Sequence, residues 1–170
     1  MKNKGIIRKM DELGRIVVPR EYRKINRINV GDPMSISLLE NGDILLSKAD
    51  YISDLMSYGE VACKVLSAET SNTILLLIGK EIKAGSGVGA NLLIGQTVEK
   101  ELAESIEKSD YYFNEDSKLE QYKYLLGVPI KDKDKNYGAI IMLSDVNITS
   151  YEQKVTQIVS KIIVNILQNY

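Results

Sequence analysis

The sequence predicts two folded units. Residues 1–50 read as a small β-hairpin domain carrying one short basic helix, and residues 51–170 as an α+β domain with an antiparallel sheet and flanking helices. Three observations support this reading. A strand, a proline stop and a basic helical face fit within Gly5–Ile28, and Asn41-Gly42 joins two short apolar segments. After residue 50 the apolar pattern changes to long helical stripes at both ends with strand-like runs between them.

Within the first unit, Pro19 lacks an amide hydrogen and its φ is held near the helical value. It can therefore end a strand at Arg15–Val18 and take the first position of a helix expected from about Pro19 to Asn26. On that helix Arg20, Arg23, Lys24 and Arg27 fall at i, i+3, i+4 and i+7 on one side, while Tyr22 and Ile25 point away. Arg8 and Lys9 lie on a preceding strand. Arg15 follows the loop Asp11-Glu12-Leu13-Gly14, and a hairpin would bring all three near the helix.

Charge is distributed unevenly. Residues 1–27 hold nine Lys or Arg against three Asp or Glu, a net of +6, whereas the whole chain is −1, which leaves −7 on the remaining 143 residues. A basic end on an acidic protein is the usual footprint of a nucleic-acid contact. An isolated cationic helix face is often merely solvated; here cations from two further elements stand beside it and favour DNA.

Hydrophobic content of 44% and charged content of 26% are those of a globular protein. No apolar run approaches the roughly 18 residues of a membrane span, and the start lacks a signal-peptide core, so a cytoplasmic, nucleoid-associated protein with no membrane partner is expected. The single cysteine, Cys63, cannot form an internal disulfide or a thiolate metal cage. Without histidine there is no Ser-His-Asp or Cys-His pair. Cys63 shares an apolar stripe with Ile52, Leu55, Met56, Gly59, Ala62 and Leu66 and reads as core. No enzyme, metal or cofactor is expected.

Asn29–Pro33 reads as a turn, Met34, Ile36 and Leu38 alternate as a half-buried strand, and Asn41-Gly42 suits a type I′ turn returning through Ile44–Ser47. A unit of about 50 residues buries little apolar surface, so a second chain is expected to complete its core.

In the second unit, residues 52–69 form an amphipathic helix, followed by a strand at Thr73–Ile78 and a short segment at Glu81–Lys83. The Gly-rich run Gly85–Gly89 lacks the Lys-Ser/Thr of a P-loop and is read as a flexible loop bordering a pocket. A helix is expected at Val98–Glu107, then strands at Lys123–Lys131 and Tyr137–Ser144 around an exposed turn Asp132–Asn136. Ser150 and Gln153 suggest a capping box for a terminal helix. Its stripe is Val155, Ile158, Val159, Ile162, Ile163, Ile166 and Leu167, with Val164 widening the arc enough to require a neighbouring helix. The tyrosines at 111, 112, 122 and 124 read as packing residues.

The run Gly5-Ile6-Ile7-Arg8-Lys9, then Asp11–Pro19, Glu21 and Arg23-Lys24, resembles the DNA-binding domain of AbrB-type transition-state regulators. That resemblance implies a dimeric swapped-hairpin β-barrel with double-stranded DNA contacts at Arg8, Lys9, Arg15, Arg23 and Lys24. Lys24 departs from the family's commoner arginine and lacks the planar fork for a bidentate base contact. Gly127-Val128-Pro129-Ile130 with Tyr137–Leu143 resembles a GAF sensor domain. An AbrB-type head on a GAF-like body is similar to regulators of sporulation genes in endospore-forming bacteria. It implies a transcriptional regulator whose bodies hold a dimer, extend it to a tetramer and receive a small-molecule effector whose identity stays open. The alternative is an antitoxin of the same barrel fold that neutralises a toxin and autoregulates its operon; such a chain normally ends in an extended tail, whereas residues 51–170 are patterned as a folded domain.

Overall fold

The computed structural model describes residues 5–49, 51–117, 119, 122–133 and 135–168. Asp50 at the expected boundary, Asp134 of the expected turn, and Asn169 and Tyr170 of the expected terminal helix lie outside the described residues. The chain separates into two compact units, a head up to Ala49 and a body from there on.

The head contains helix α1 (Arg20–Ile25) and the antiparallel strands β1 (Met34–Leu38) and β2 (Ile44–Lys48), with Ile36 opposite Leu46. Arg15–Val18 forms no ladder here, because an extended segment becomes a strand only when a neighbour answers its backbone groups. Pro19 is extended (ψ 144°) and acts as the N-cap, so the helix begins one residue later than expected. The turn at Asn41-Gly42 also differs from expectation: only Gly42 has positive φ. Leu39 closes on Asp43 (2.8 Å) and Gly42 N–H donates to Leu39 O (2.9 Å), a three-residue loop ending in a left-handed glycine. The Asn41 side chain accepts from Asp43 N–H (3.0 Å), which favours this loop over the two-residue turn.

The body is a five-stranded antiparallel sheet in the order β4-β3-β7-β6-β5, built from β3 (Thr73–Ile78), β4 (Glu81–Ser86), β5 (Tyr112–Asn114), β6 (Tyr124–Lys131) and β7 (Asn136–Ser144). Helices α2 (Tyr51–Thr70) and α5 (Ser150–Gln168) cover one face; α3 (Ala90–Leu93) and α4 (Lys100–Lys108) cover the other. Because side chains alternate along a strand, Ile74 and Leu76 join the core beneath α2 and α5, while Leu75 and Leu77 join the opposite core. Burial on both faces explains why β3 and β7 read as unbroken apolar runs rather than alternating ones.

Helix α5 turns much of its expected stripe inward, with Ile163 and Leu167 buried and Val155 and Val159 packed against the core, but it is rotated so that Ile158 and Ile162 face out. Its buried face is Thr156, Ser160, Ile163 and Leu167; Ile158 and Ile162 are exposed, and Val164 packs against the core. Apolar periodicity could not show this, since two of the inward positions are hydroxyls, satisfied by Glu152 O (2.8 Å) and Pro129 O (2.6 Å). The N-terminal box is Thr149 with Glu152, not Ser150 with Gln153: Thr149 N–H donates to Glu152 Oε2 (2.7 Å) and Glu152 N–H to Thr149 Oγ1 (3.2 Å). The other Glu152 oxygen accepts from Asn72 Nδ2 (2.7 Å), which ties α5 to the start of β3.

The Gly-rich run is packed rather than loose. Gly85 and Ser86 belong to β4, and a Cβ on Gly87 would lie 2.8 Å from Asn72 O and Thr73 Cα. Tyr122 is buried and hydrogen-bonds Thr73 Oγ1 (3.1 Å) and Val88 O, closing the run onto the sheet. At the turn expected to be fully exposed, half-buried Asp132 accepts from Tyr137 Oη (2.9 Å), and Lys135 Nζ stands 3.4 Å over the Tyr51 ring.

Candidate nucleic-acid interface

Helix α1 is short, and both its ends are determined locally. Pro19 O accepts the first helical bond from Arg23 N–H (3.1 Å). At the other end Ile28 N–H donates to Arg23 O (2.8 Å) and Arg27 N–H to Lys24 O (3.2 Å), with Arg27 in the left-handed region (φ 52°). This is a Schellman closure in which arginine occupies the position that usually selects glycine.

That closure swings Arg27 to the same side as the rest of the stripe. Arg20, Arg23, Lys24 and Arg27, with Ile28 and Asn29, line one recess of about 400 Å³ that has no acidic side chain in its wall. Arg23 is half-buried and its Nε is sealed from solvent without a hydrogen-bond partner, which leaves the terminal nitrogens to meet any ligand. Two of the residues expected at the site, Arg23 and Lys24, are thus brought together. Arg20 and Arg27 join them as lining residues that the expected contact set omitted, although their i, i+3, i+4, i+7 spacing was visible.

Arg15 is positioned by a different device. Asp11 Oδ1 accepts from Leu13 N–H (3.0 Å) and Arg15 N–H (2.8 Å), and Asp11 Oδ2 pairs with Arg15 Nε (2.7 Å). The Arg15 amide and guanidinium hold the Asp11 carboxyl below the usual carboxylate range. The signal for this was an aspartate three residues before a glycine and four before an arginine; Gly14, at φ 75°, completes the turn. Arg8 and Lys9 are exposed on the chain before the turn, and no hydrogen bond or ion pair among the described residues joins them to α1. Asp32 plays a similar organising part: it accepts from Asn29 N–H (2.7 Å) and pairs with Lys48 (2.8 Å), which hold its carboxyl low and tie β2 to the segment after α1.

None of residues 5–49 is buried; Ile7 is 92% and Val30 96% exposed. The body carries the chain's cysteine deep in its core, where burial and then Glu60 push the Cys63 thiol up to about 12, far from a reactive thiolate. A recess of about 250 Å³ lies beside α4, between Leu102, Ser105, Tyr112 and Asn114. The Gly-rich run stands away from it: Val88 of that run edges a separate recess of about 260 Å³ with Ser71, Thr73 and Tyr122. Among the described residues no group of three or more His, Cys, Asp or Glu could hold a metal ion, and no helix is long and apolar enough to cross a membrane.

These two units define a chain that joins an AbrB/MazE-type head to a GAF-fold body. Residues 7–54 match the family described as antidote-toxin recognition MazE, bacterial antitoxin. The chain is similar to stage V sporulation protein T of Bacillus subtilis (strain 168), 27% identical over 153 residues that cover 85% of each chain. It is 46% identical over 48 residues to the putative transition state regulator Abh of the same organism, covering 28% of this chain and 50% of that one. The blue-light absorbing form of the Thermosynechococcus elongatus PixJ GAF-domain superposes with a TM-score of 0.58 at 11% identity, over 72% of this chain and 89% of that one, a likeness of fold.

Proposed function

We propose that the chain is a dimeric, sequence-specific DNA-binding regulator of transcription that acts on sporulation genes. The observation that carries this reading is the acid-free recess of Arg20, Arg23, Lys24 and Arg27 on a unit with no buried residue of its own. Four cations converging from one short helix suit a phosphate backbone, and an uncovered head suits a second chain that interleaves its hairpin and closes a barrel. Two heads then present two recesses, flanked by Arg8, Lys9 and Arg15, to one duplex. Affinity comes mainly from phosphate neutralisation, and preference from groove shape and a few arginine contacts. The similarity to a protein named as a transition state regulator supports the regulatory role. Such a regulator works beside the chromosome, so the chain is assigned to the cytoplasm.

The GAF-fold bodies hold the assembly together and receive an effector. Val61 and Val65 of α2 and Ile158 and Ile162 of α5 are exposed on adjoining helices and provide the seam, extending a dimer to a tetramer. Ile158→Asp with Ile162→Asp should lower the mass seen by sedimentation, and an unchanged mass would remove these helices from the interface.

The test of the DNA reading is a gel-shift series on the chain's own footprinted sites. Replacing Arg8, Arg15 and Arg23 together by alanine should abolish binding, whereas single changes should each cost roughly 1–3 kcal/mol at a base contact or flatten the salt dependence at a phosphate contact. Retained binding in the triple variant would refute it.

One observation favours a second reading: the family matched by residues 7–54 is an antitoxin family. A toxin would then copurify with the chain. The sheet and two cores of the body are unlike a wrapping tail, which ranks this reading second.

A further inference from the structure

Helix α5 and the outer edge of β6 enclose a recess of about 520 Å³, a volume within the usual range for small-molecule sites. Lys131 reaches it from β6; Lys154, Gln157, Lys161 and Asn165 reach it from α5 at spacings of three and four, one face of the helix; Asp110 stands at its rim. Val128, Pro129 and Val164 supply apolar lining.

The edge of β6 in this recess is closed to another strand. β5 pairs only with Leu125–Gly127, so Val128–Lys131 has no ladder on that side. Pro129 lacks an N–H, its carbonyl is taken by Ser160 Oγ (2.6 Å), and Lys131 Nζ donates to Glu107 O (2.6 Å). What the recess offers a ligand is therefore side-chain chemistry rather than a backbone edge.

That chemistry selects an anion. Residues 51–170 contain twelve lysines and sixteen Asp or Glu, a net of −4, yet this recess gathers three ammonium groups against one carboxylate. Lys154 and Lys161 have no hydrogen-bond or ion-pair partner among the described residues. Lys131 keeps two further protons to donate after its bond to Glu107. Beside these charges stand the Gln157 amide, which donates and accepts, and a small apolar wall at half-buried Val164, behind which Val128 and Pro129 are buried.

We infer that the α5–β6 recess binds a phosphorylated small molecule of nucleotide size: its phosphates meet Lys131, Lys154 and Lys161, its ring lies against Val164, and Asp110 accepts from a sugar hydroxyl. This gives the effector proposed above a location and a chemical class, and it rests on that part of the functional reading. Its test is kept separate from DNA binding, so that either can fail alone.

The experiment titrates ATP, tripolyphosphate and adenosine into the isotope-labelled full chain at about 0.15 M salt, following backbone amides. ATP should shift the signals of Lys131, Gln157 and Lys161, and tripolyphosphate should bind more weakly at the same place. Lys154→Gln with Lys161→Gln should weaken ATP by about tenfold or more, as expected for losing two charge-assisted bonds, while DNA binding is unchanged. Arg20→Ala with Arg23→Ala should leave ATP binding intact. The proposal is overturned by an absence of shifts at millimolar ATP, by shifts confined to residues 20–29, by an unweakened double lysine variant, or by tripolyphosphate binding as tightly as ATP.

Discussion

Asp11 grips Arg15 through both carboxylate oxygens, one on the amide at 2.8 Å and one on Nε at 2.7 Å, so the acid and the base of this loop form one unit. Simple charge counting holds that removing Asp11 helps DNA binding. The geometry argues the reverse, because Asp11 pre-sets the loop and aims the arginine, and a free loop must be ordered on binding. Asp11→Ala should weaken DNA binding by about threefold to tenfold in a gel-shift titration, and tighter binding would show that the carboxylate acts only as a repulsive charge.

Acid should loosen the head before it affects neutral-pH behaviour. The carboxyls of Asp11 and Asp32 are both held low, the first chiefly by the Arg15 amide and the second chiefly by the Asn29 amide. A depressed carboxyl contributes its stability fully above the unfolded value of about 3.9 and loses it as pH falls through the lower folded value. With no histidine in the chain, no side chain of that type titrates between. Amide exchange at Leu13, Arg15 and Asn29 should therefore be protected equally at pH 5 and pH 7, apart from the intrinsic rate, and lose protection only below about pH 4.

Arg27 trades stability for charge. It closes α1 at φ 52°, where an L side chain costs about 1 kcal/mol relative to glycine. Arg27→Gly should raise the head's resistance to urea by about that amount while weakening DNA binding. A variant that gained stability and kept full affinity would remove Arg27 from the interface.

The cap of α5 separates two adjacent residues. Glu152→Ala removes both the Thr149 box and the Asn72 bond and should cost the body about 1–3 kcal/mol in urea unfolding. Gln153→Ala should change stability by less than about 0.5 kcal/mol. Equal effects would mean that the box is not where the structure has it.

Gly138, the one glycine of β7, is tightly constrained, since a Cβ there would lie 2.4 Å from the backbone oxygen of Leu77. Gly138→Ala should destabilise the body by about 3 kcal/mol or more, measured by thermal unfolding. Gly5→Ala, which meets open space, serves as the near-neutral control.

The elements with strong periodicity were legible in the sequence: β3, β6, β7, α2 and α5 lie close to where apolar runs and stripes indicated. The details that failed share one cause. Hydroxyls at Thr156 and Ser160 hid part of the inner face of α5, and a carboxylate at Glu152 outcompeted Gln153 for the cap by also answering Asn72. Packed backbone, not slack, explains the glycines at 85 and 87. At the candidate interface the cationic stripe of α1 was readable from spacing alone, whereas the spacing of Asp11, Gly14 and Arg15 signalled a turn but not that both carboxylate oxygens hold the arginine.

By itself the sequence determined the division of labour: all five arginines fall within residues 8–27 and every long apolar run falls beyond residue 50, because charge and periodicity are local properties written residue by residue. Only the tertiary structure decided which cations share a recess, which acid orders a loop and which face of α5 turns inward. Those choices depend on partners distant in the chain, whose hydrogen bonds and packing outweigh the preference of any single segment.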